Sequence, residues 1–538
     1  MTTQAAADIA FGLTRVVDLP GLSAEAGMPL SAEDIAQIVE EADRFTRDAV
    51  RPKRQEADRH GAVYANGTVT TAPHYPALYR AWMEGGWQGL AAPAEHGGQG
   101  LPQSLWMAMV ELLMAADTSF ALCPLLTAGA IDCIERHASE AQKARWLPPM
   151  VSAEWTGAMC LTEPQAGSDL AQVKTRAEPL GDGRYALHGQ KIYITWGEHD
   201  CTPNTLYLVL ARLPDAPAGS KGISLFAATK LREDGSRNAL RCGGIEKKLG
   251  IHASPTCVML FEGAEAELVG EPHRGLPAMF AMMNNARLGV GVQGVAHGAQ
   301  AEELAFAYAA ERVQGGGKAI AQHPDVARML NEIRATTVAG RLLCLEAARA
   351  SDRHRLLGDA AAETRLALLT PIVKAWCTDR GVEAASLGIQ IHGGMGFVED
   401  SGAAQVLRDA RIAPIYEGTN GIQAMDLVGR KLAGDGGAAM RGVIAELRAT
   451  DPRLGPAADM LERATTAALE AARRGPDAIQ EIAVAYLEAA GWVLGAWMIA
   501  RAAAADGALY GALADFYIRR LLPRAGARTA EIEAVLAA

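Results

Sequence analysis

The chain has 538 residues and a mass of 56.7 kDa, more than one ordinary hydrophobic core organises, so two to four packed units are expected. Hydrophobic residues make up 49% and charged residues 21%, which excludes a disordered chain. A formal charge of -11 and a pI near 5.6 exclude a globally basic nucleic-acid-binding surface and leave any polyanion to a local patch.

The opening stretch "MTTQAAADIAFGLTRVVDLPGL" lacks a basic segment followed by an apolar one, so no signal peptide is expected. Residues 1–30 read as an N-terminal lead. From 31 to 153 the apolar spacing is helical, as in "SAEDIAQIVEEADRF", where Ser31 fits an N-cap with Glu33 and Asp34 in the first turn. The loop "AAPAEHGGQGLP" (91–102) is too rich in Gly and Pro to be helical. Over 154–273 the pattern changes to short β-type runs, "WTGAMCLTE", "YALHGQKIYIT", "TLYLVLARL", "GISLFAAT" and "TCVMLFEG". Turn clusters such as "GDG" (181–183) separate them, which predicts a central antiparallel sandwich or barrel.

Helical spacing returns over 274–431, where a helical bundle is expected. The breaks "LAGDGGAAM" (432–440) and "DPRLGP" (451–456) set off 432–538 as an additional helical domain. The fold class is therefore α+β, mostly α. The apolar stretch from Ala489 to Ala500 reads as too short to cross a bilayer, so a cytoplasmic protein without membrane insertion is expected. Eight cysteines without a CxxC pair favour reduced, mostly buried thiols over a disulfide framework or a zinc site.

Four motifs have two readings each. "GVGVQG" (289–294) fits the GxGxxG of a dinucleotide site, but that fingerprint needs a preceding strand. The residues before it, "AMFAMMNNARL", are helix formers, so close helix packing is expected instead. In "TEPQAGSDL" (162–170), Ser168 lacks the GxSxG context of a nucleophile; it is either a loop residue or a donor to a phosphate or flavin. "QIHGGMGF" (390–397) is either a glycine helix terminator or a place where backbone N–H groups approach a diphosphate. No metal-ligand spacing accompanies His392. In "APIYEGTNGIQ" (413–423), Glu417 is either a first-turn acid of the helix that follows or a base raised toward neutral pH by an apolar setting.

Taken in order, "MCLTEPQAGSDL", "HGQKIYIT", "QIHGGMGF" and "IYEGTNGIQ" resemble the flavin-dependent acyl-CoA dehydrogenase family over about residues 35–432. The resemblance implies FAD, with a thioester between the flavin and a catalytic glutamate matching Glu417, and oxidation to a trans-2-enoyl-CoA. The thioester carbonyl would be held by the backbone N–H of that glutamate and a flavin ribityl hydroxyl. It implies that Met159, Leu161, Thr162, Ser168, Tyr193 and Thr195 border FAD, Tyr193 standing where the family usually has Trp. Arg312, Gln390 and Gly394 would reach the FAD of a neighbouring subunit, Gly393 of the same glycine loop would also bind cofactor, and Thr419 would lie near the FAD diphosphate. Ser168, Asn284, Arg287, Tyr416 and Gly418 would face substrate. Two departures are "RVQGGGKAI", where Gly315 stands in place of an aromatic-and-single-glycine pattern, and Gly421, where the family often has Gln.

Within the family, "FALCPLLTAGAI", "KLGIHASPTCVM", the long lead and the helical tail are similar to the 3-methylmercaptopropionyl-CoA dehydrogenase subgroup. That similarity implies a short thioether acyl-CoA from dimethylsulfoniopropionate degradation, or another short or medium acyl-CoA. An electron-transfer flavoprotein is the implied acceptor, and a homodimer or homotetramer the implied assembly. An acyl-CoA oxidase and a flavin-binding relative without dehydrogenase activity are the alternatives; the acidic charge and the intact "YEGT" weigh against the second.

Overall fold

The computed structural model describes residues 2–537, and the chain forms two compact units. One comprises residues 47–101 and 116–286; the other takes the residues before 47, residues 102–115 and everything from 287 onward.

Seven strands form one sheet in the first unit: β1 (Trp155–Cys160), β2 (Arg176–Gly181), β3 (Arg184–Thr195), β4 (Asn204–Arg212), β5 (Ile223–Thr229), β6 (Leu240–Ile245) and β7 (Thr256–Val269). Their order is β1-β4-β2-β3-β7-β5. Because β4 also pairs with β5, the ring closes into a barrel, with β1 and β6 as side strands on β4 and β7. The pairing is antiparallel except that β1 runs parallel to β4 over six residue pairs, and β2 meets β4 in parallel at Arg176 and Arg212.

The run "TLYLVLA" (205–211) shows no alternation because both of its faces are covered. Leu206, Leu208 and Leu210 join one core with Ala130, Ile131 and Ile134 of the Thr118–His137 helix. Tyr207, Val209 and Ala211 join a second core inside the barrel with Phe226, Met259 and Phe261. A Cβ on Gly157 of β1 would lie 2.4 Å from the Ala130 Cβ, so glycine there lets strand and helix approach.

In the second unit the main helices are α1 (Gly275–Glu311), which enters it at residue 287, α2 (Pro324–Leu357), α3 (Ala360–His392) and the short α4 (Asn420–Asp426). The glycines of "GVGVQG" lie inside α1 and serve helix packing, as expected. A Cβ on Gly291 would stand 2.4 Å from Val373 Cγ1, and one on Gly294 2.4 Å from the Cys377 carbonyl. Gln103–Ala116, a helix that chain order groups with the N-terminal helices, belongs largely to this unit. Its first turn gives Gln103 N, Ser104 N and Ser104 Oγ to the buried Asp352 at 2.5, 2.9 and 2.6 Å. Its Glu111 binds Arg341 at 2.7 Å.

The lead is also anchored here. Asp8, 2% exposed, accepts from Arg334, from Arg341 at 3.0 Å and from the Tyr510 hydroxyl at 2.8 Å. One carboxylate thereby joins the lead, α2 and the C-terminal extension. The stretch read as too short for a bilayer lies within the 30-residue helix Pro476–Ala505, which passes on length and composition alone. Its most apolar window is 89% buried among neighbouring helices, so its apolarity is spent on packing. Trp492 on this helix meets Trp376 of α3 edge-on at 5.4 Å. All eight cysteines are free thiols, seven of them buried.

Candidate active site

Between the Ala403–Ala410 helix and α4 the chain makes a tight, non-helical turn. The Ile412 carbonyl accepts from Ile415 N at 2.8 Å and from Tyr416 N at 3.2 Å, and Asn420 N reaches back to the Pro414 carbonyl at 3.1 Å. This folding drives Glu417 to φ +57 and Gly418 to φ +84, a backbone region that costs a side-chain-bearing residue of order 1–3 kcal/mol. Several bonds hold it there. The Glu417 carbonyl accepts from Arg287 Nε and from Gln423 Nε2, each at 3.3 Å. Thr419 caps α4 through Ile422 N at 3.3 Å.

Glu417 is therefore not a first-turn acid: Thr419 is the N-cap and the helix starts at Asn420. Nor is its setting made by the apolar run alone, since Ile415 is 47% exposed while Ala413 is buried. What surrounds the half-buried carboxyl includes two buried cations, Arg287 at 6% and Lys374 at 0% exposure. Burial pushes the Glu417 carboxyl from its ordinary 4.5 up to about 7, with Arg287 and then Lys374 pulling the other way. Burial likewise pushes the Lys374 ammonium down to about 7, opposed by Glu417 and Asp379. Tyr416 donates its hydroxyl to the Gln293 amide oxygen. Among the described residues nothing accepts the Glu417 backbone N–H, which leaves a donor beside the carboxyl. A near-neutral carboxylate and a free N–H suit removal of a carbon-bound proton with stabilisation of the charge that develops.

A second group lies in the barrel unit, where the end of β1 and the loop after it are pinned to β3. Lys191 Nζ, fully buried, donates to the Leu161 carbonyl at 2.9 Å and to Glu163 at 2.8 Å. Ile192 N donates to the Thr162 carbonyl at 2.9 Å. Met159 and Thr162 are half-buried, whereas the Leu161 side chain belongs to the core and leaves only its backbone to a ligand. Tyr193 sits at a bulge of β3 with φ +59 and 60% exposure, and Thr195 is half-buried two residues on. Ser168 is exposed in its loop, beside Gly167, where an added Cβ would meet nothing within 4 Å.

Arg312, Gln390, Gly393 and Gly394 form a third, exposed group at the ends of α1 and α3. His392 is a core histidine, bonded to the Gly388 carbonyl at 2.7 Å and stacked on Tyr308 at 4.5 Å. Gly393 adopts φ +60, and a Cβ on Gly393 or Gly394 would meet nothing. "GGG" (315–317) makes the turn of a small hairpin, Val313–Gln314 with Lys318–Ala319. Asn284 is exposed on α1, three residues before Arg287. Gly421 is half-buried in the first turn of α4, where an added Cβ would meet Thr419 Oγ1 at 3.8 Å, an ordinary contact.

Models of the acyl-CoA dehydrogenase N-terminal, middle and C-terminal domains match residues 32–154, 158–264 and 273–432. A further model, acetyl-CoA dehydrogenase C-terminal like, matches 437–537. The 3-methylmercaptopropionyl-CoA dehydrogenase of Ruegeria pomeroyi is 46% identical over 472 residues, covering 84% of this chain and 80% of that protein. The chain belongs to the acyl-CoA dehydrogenase family. It is an oxidoreductase that dehydrogenates acyl-CoA thioesters. Two solved structures share the fold. Caenorhabditis elegans ACDH-11 in complex with C11-CoA has a TM-score of 0.80 at 22% identity, covering 93% of this chain and 89% of its own. An acyl-CoA dehydrogenase from Bacillus anthracis complexed with FAD has a TM-score of 0.78 at 23% identity, covering 94% and 88%.

For this acyl-CoA dehydrogenase, sequence reasoning singled out Glu417, Arg287, Tyr416, Gly418 and Thr419, which the structure gathers in one turn and the helix against it. It missed Lys374, Asn420, Gln423 and Gln293. A lysine inside the apolar run "LALLTPIVKAW" (366–376) was the available signal, since lysines are almost never fully buried without a partner.

Proposed function

We propose that Glu417 is the base that removes the α-proton of a short acyl-CoA thioester, 3-methylmercaptopropionyl-CoA or a close analogue. The raised, half-buried carboxyl next to its own unpaired N–H carries this reading. Glu417 in its ionised form takes the proton from Cα while the thioester carbonyl accepts from the Glu417 N–H, so that enolate charge develops against a fixed donor. Arg287 and Gln423 hold the Glu417 carbonyl, which keeps that N–H aimed as the proton moves. The product is the trans-2-enoyl thioester.

The barrel residues fit a flavin. Exposed Tyr193, half-buried Met159, Thr162 and Thr195, and the open backbone at Gly167 offer a flat flank and an accessible N–H group. These residues, with Ser168 and Thr419, would hold FAD, and Arg312, Gln390, Gly393 and Gly394 that of a neighbouring subunit. FAD, when bound, supplies the acceptor for the β-hydrogen as hydride. The relative from R. pomeroyi supports the thioether substrate, and the FAD complex from B. anthracis the cofactor. An electron-transfer flavoprotein is the acceptor this reading favours, and turnover with oxygen instead identifies an oxidase. Exposed Met395, Phe397 and Val398, at 50, 86 and 45%, support a homodimer or homotetramer.

The test is anaerobic bleaching of the flavin absorption by 3-methylmercaptopropionyl-CoA, butyryl-CoA and palmitoyl-CoA. Fast bleaching by the first two, lost in Glu417→Gln, is expected. Bleaching by palmitoyl-CoA alone refutes the short pocket, and full activity of Glu417→Gln refutes the base.

A further inference from the structure

A lysine with 0% exposure is costly, because an ammonium leaves water for a low-dielectric interior. Lys374 on α3 is such a residue, and its partner is unusual. Its Nζ donates at 2.9 Å to Oδ1 of Asn420, a neutral amide. The same amide's Nδ2 donates at 2.8 Å to Asp379, at 3.1 Å to the Ala375 carbonyl and at 3.1 Å to Thr378 Oγ1. Asn420 is thus inserted between a cation and an anion on one helix, one turn and a half apart. This arrangement permits one orientation of the amide: the oxygen faces the donor and the nitrogen faces acceptors. Asn420 N meanwhile closes the loop onto the Pro414 carbonyl at 3.1 Å. The turn carrying Glu417 is thereby bolted at its root to α3.

We propose that Lys374 is a positioning residue for Glu417: through Asn420 it fixes the 417–420 turn, and its ammonium sets the pH at which the Glu417 carboxylate becomes available. The proposal rests on the reading of Glu417 as the base. A clamp alone would be served by a neutral donor, so the charge itself needs an account. The charged groups that act on it are Glu417 in the turn and Asp379 on α3, which favour its ammonium form, and Arg287 on α1, which opposes it. Behind these, Asp426 of α4 and Arg430 after it act on Arg287, while Arg380 of α3 and Glu488 of the Pro476–Ala505 helix act on Asp379. Asp379 is already bound to the Asn420 amide, which leaves Glu417 as the anion whose ionisation the ammonium favours. Both groups lie near 7, the range in which a base and its neighbour exchange influence.

The experiment uses the full-length, flavin-loaded enzyme as wild type, Lys374→Met, Lys374→Arg and Asn420→Ala. The rate of anaerobic bleaching by butyryl-CoA and by 3-methylmercaptopropionyl-CoA is followed from pH 5.5 to 9. Without substrate, the infrared carbonyl band of the protonated acid that Glu417→Gln lacks is titrated in parallel. Removing a nearby opposite charge raises an acid by about one pH unit or more. Lys374→Met is therefore expected to move both midpoints up by about one unit and to slow bleaching at pH 7 about fivefold. Lys374→Arg, a cation that does not titrate, keeps both midpoints at or below the wild-type values. Asn420→Ala lowers the rate about tenfold across the profile with the midpoints unmoved. Equal midpoints in wild type and Lys374→Met overturn the proposal. If Lys374→Met does not fold, a raised midpoint in Lys374→Arg or an unchanged rate in Asn420→Ala overturns it. Wild-type bleaching that Glu417→Gln abolishes, together with an unmoved Lys374→Met midpoint, refutes Lys374 alone; a wild-type flavin that neither thioester bleaches refutes the base as well.

Discussion

A change of pH between 5.5 and 8.5 perturbs the central chemistry without touching the sequence. Burial carries the Glu417 carboxyl from 4.5 to about 7, which costs its ionised form about 3 kcal/mol. At pH 6 roughly one molecule in ten then carries the ionised carboxylate, at pH 7 about half, and at pH 8 about nine in ten. The first-order rate of flavin bleaching at saturating thioester should therefore rise about tenfold from pH 6 to pH 8. A carboxyl left at 4.5 would be almost fully ionised throughout and would give a flat profile. Stopped-flow bleaching across that range, with flavin content checked at each pH, distinguishes the two. A flat profile with active enzyme refutes the burial argument; a tenfold rise that survives in Glu417→Gln refutes the assignment of the ionisation to Glu417.

Other expectations concern the scaffold. Gly418→Ala forces a side chain into φ +84 and within 2.8 Å of Gln423 Nε2; it should lower the bleaching rate at least tenfold while costing about 1–2 kcal/mol of stability. Gly294→Ala pushes a methyl within 2.4 Å of the Cys377 carbonyl, and thermal melting should report a loss of about 1–3 kcal/mol. In the barrel, burial raises the Glu163 carboxyl, but Lys191 beside it and bonds from Thr175 and Lys174 outweigh this and hold it at about 2. An acid depressed in the folded state adds stability above its unfolded value of 4.5, and that stability is lost as pH falls from there toward 2. Glu163→Gln should accordingly cost about 3 kcal/mol at pH 7, much of it from stranding the buried Lys191, and less at pH 3, as urea melts at both pH values will show. Asp8→Ala, which leaves Arg341 only its Glu111 partner and cuts the lead from the extension, should cost about 2–3 kcal/mol in the same assay.

Local chemistry along the chain was sufficient for much of this. Ser31 caps its helix as the spacing implied, and the structure adds a reciprocal box with Asp34, because a cap depends only on residues three apart. The glycines of "GVGVQG" were legible as helix-packing residues because the helix formers before them ruled out a strand. The position of Glu417 was legible because a lone acid before Gly-Thr in an ordered set of four motifs carries a specific resemblance. Long-range pairing was not legible. Helical periodicity identifies Gln103–Ala116 as a helix but not that Asp352 and Arg341, more than two hundred residues away, claim it. An unbroken apolar strand such as 205–211 does not say which core each face enters. The apolar run around Glu417 suggested its environment, yet the residues that tune it, Arg287 and Lys374, lie 130 and 43 positions back in sequence. Sequence alone singled out the side chain proposed for the chemistry, since a motif is a property of one residue and its neighbours. Only the tertiary structure decided its left-handed backbone, its unpaired N–H and its near-neutral carboxyl, because burial and charge are fixed by what the fold brings alongside.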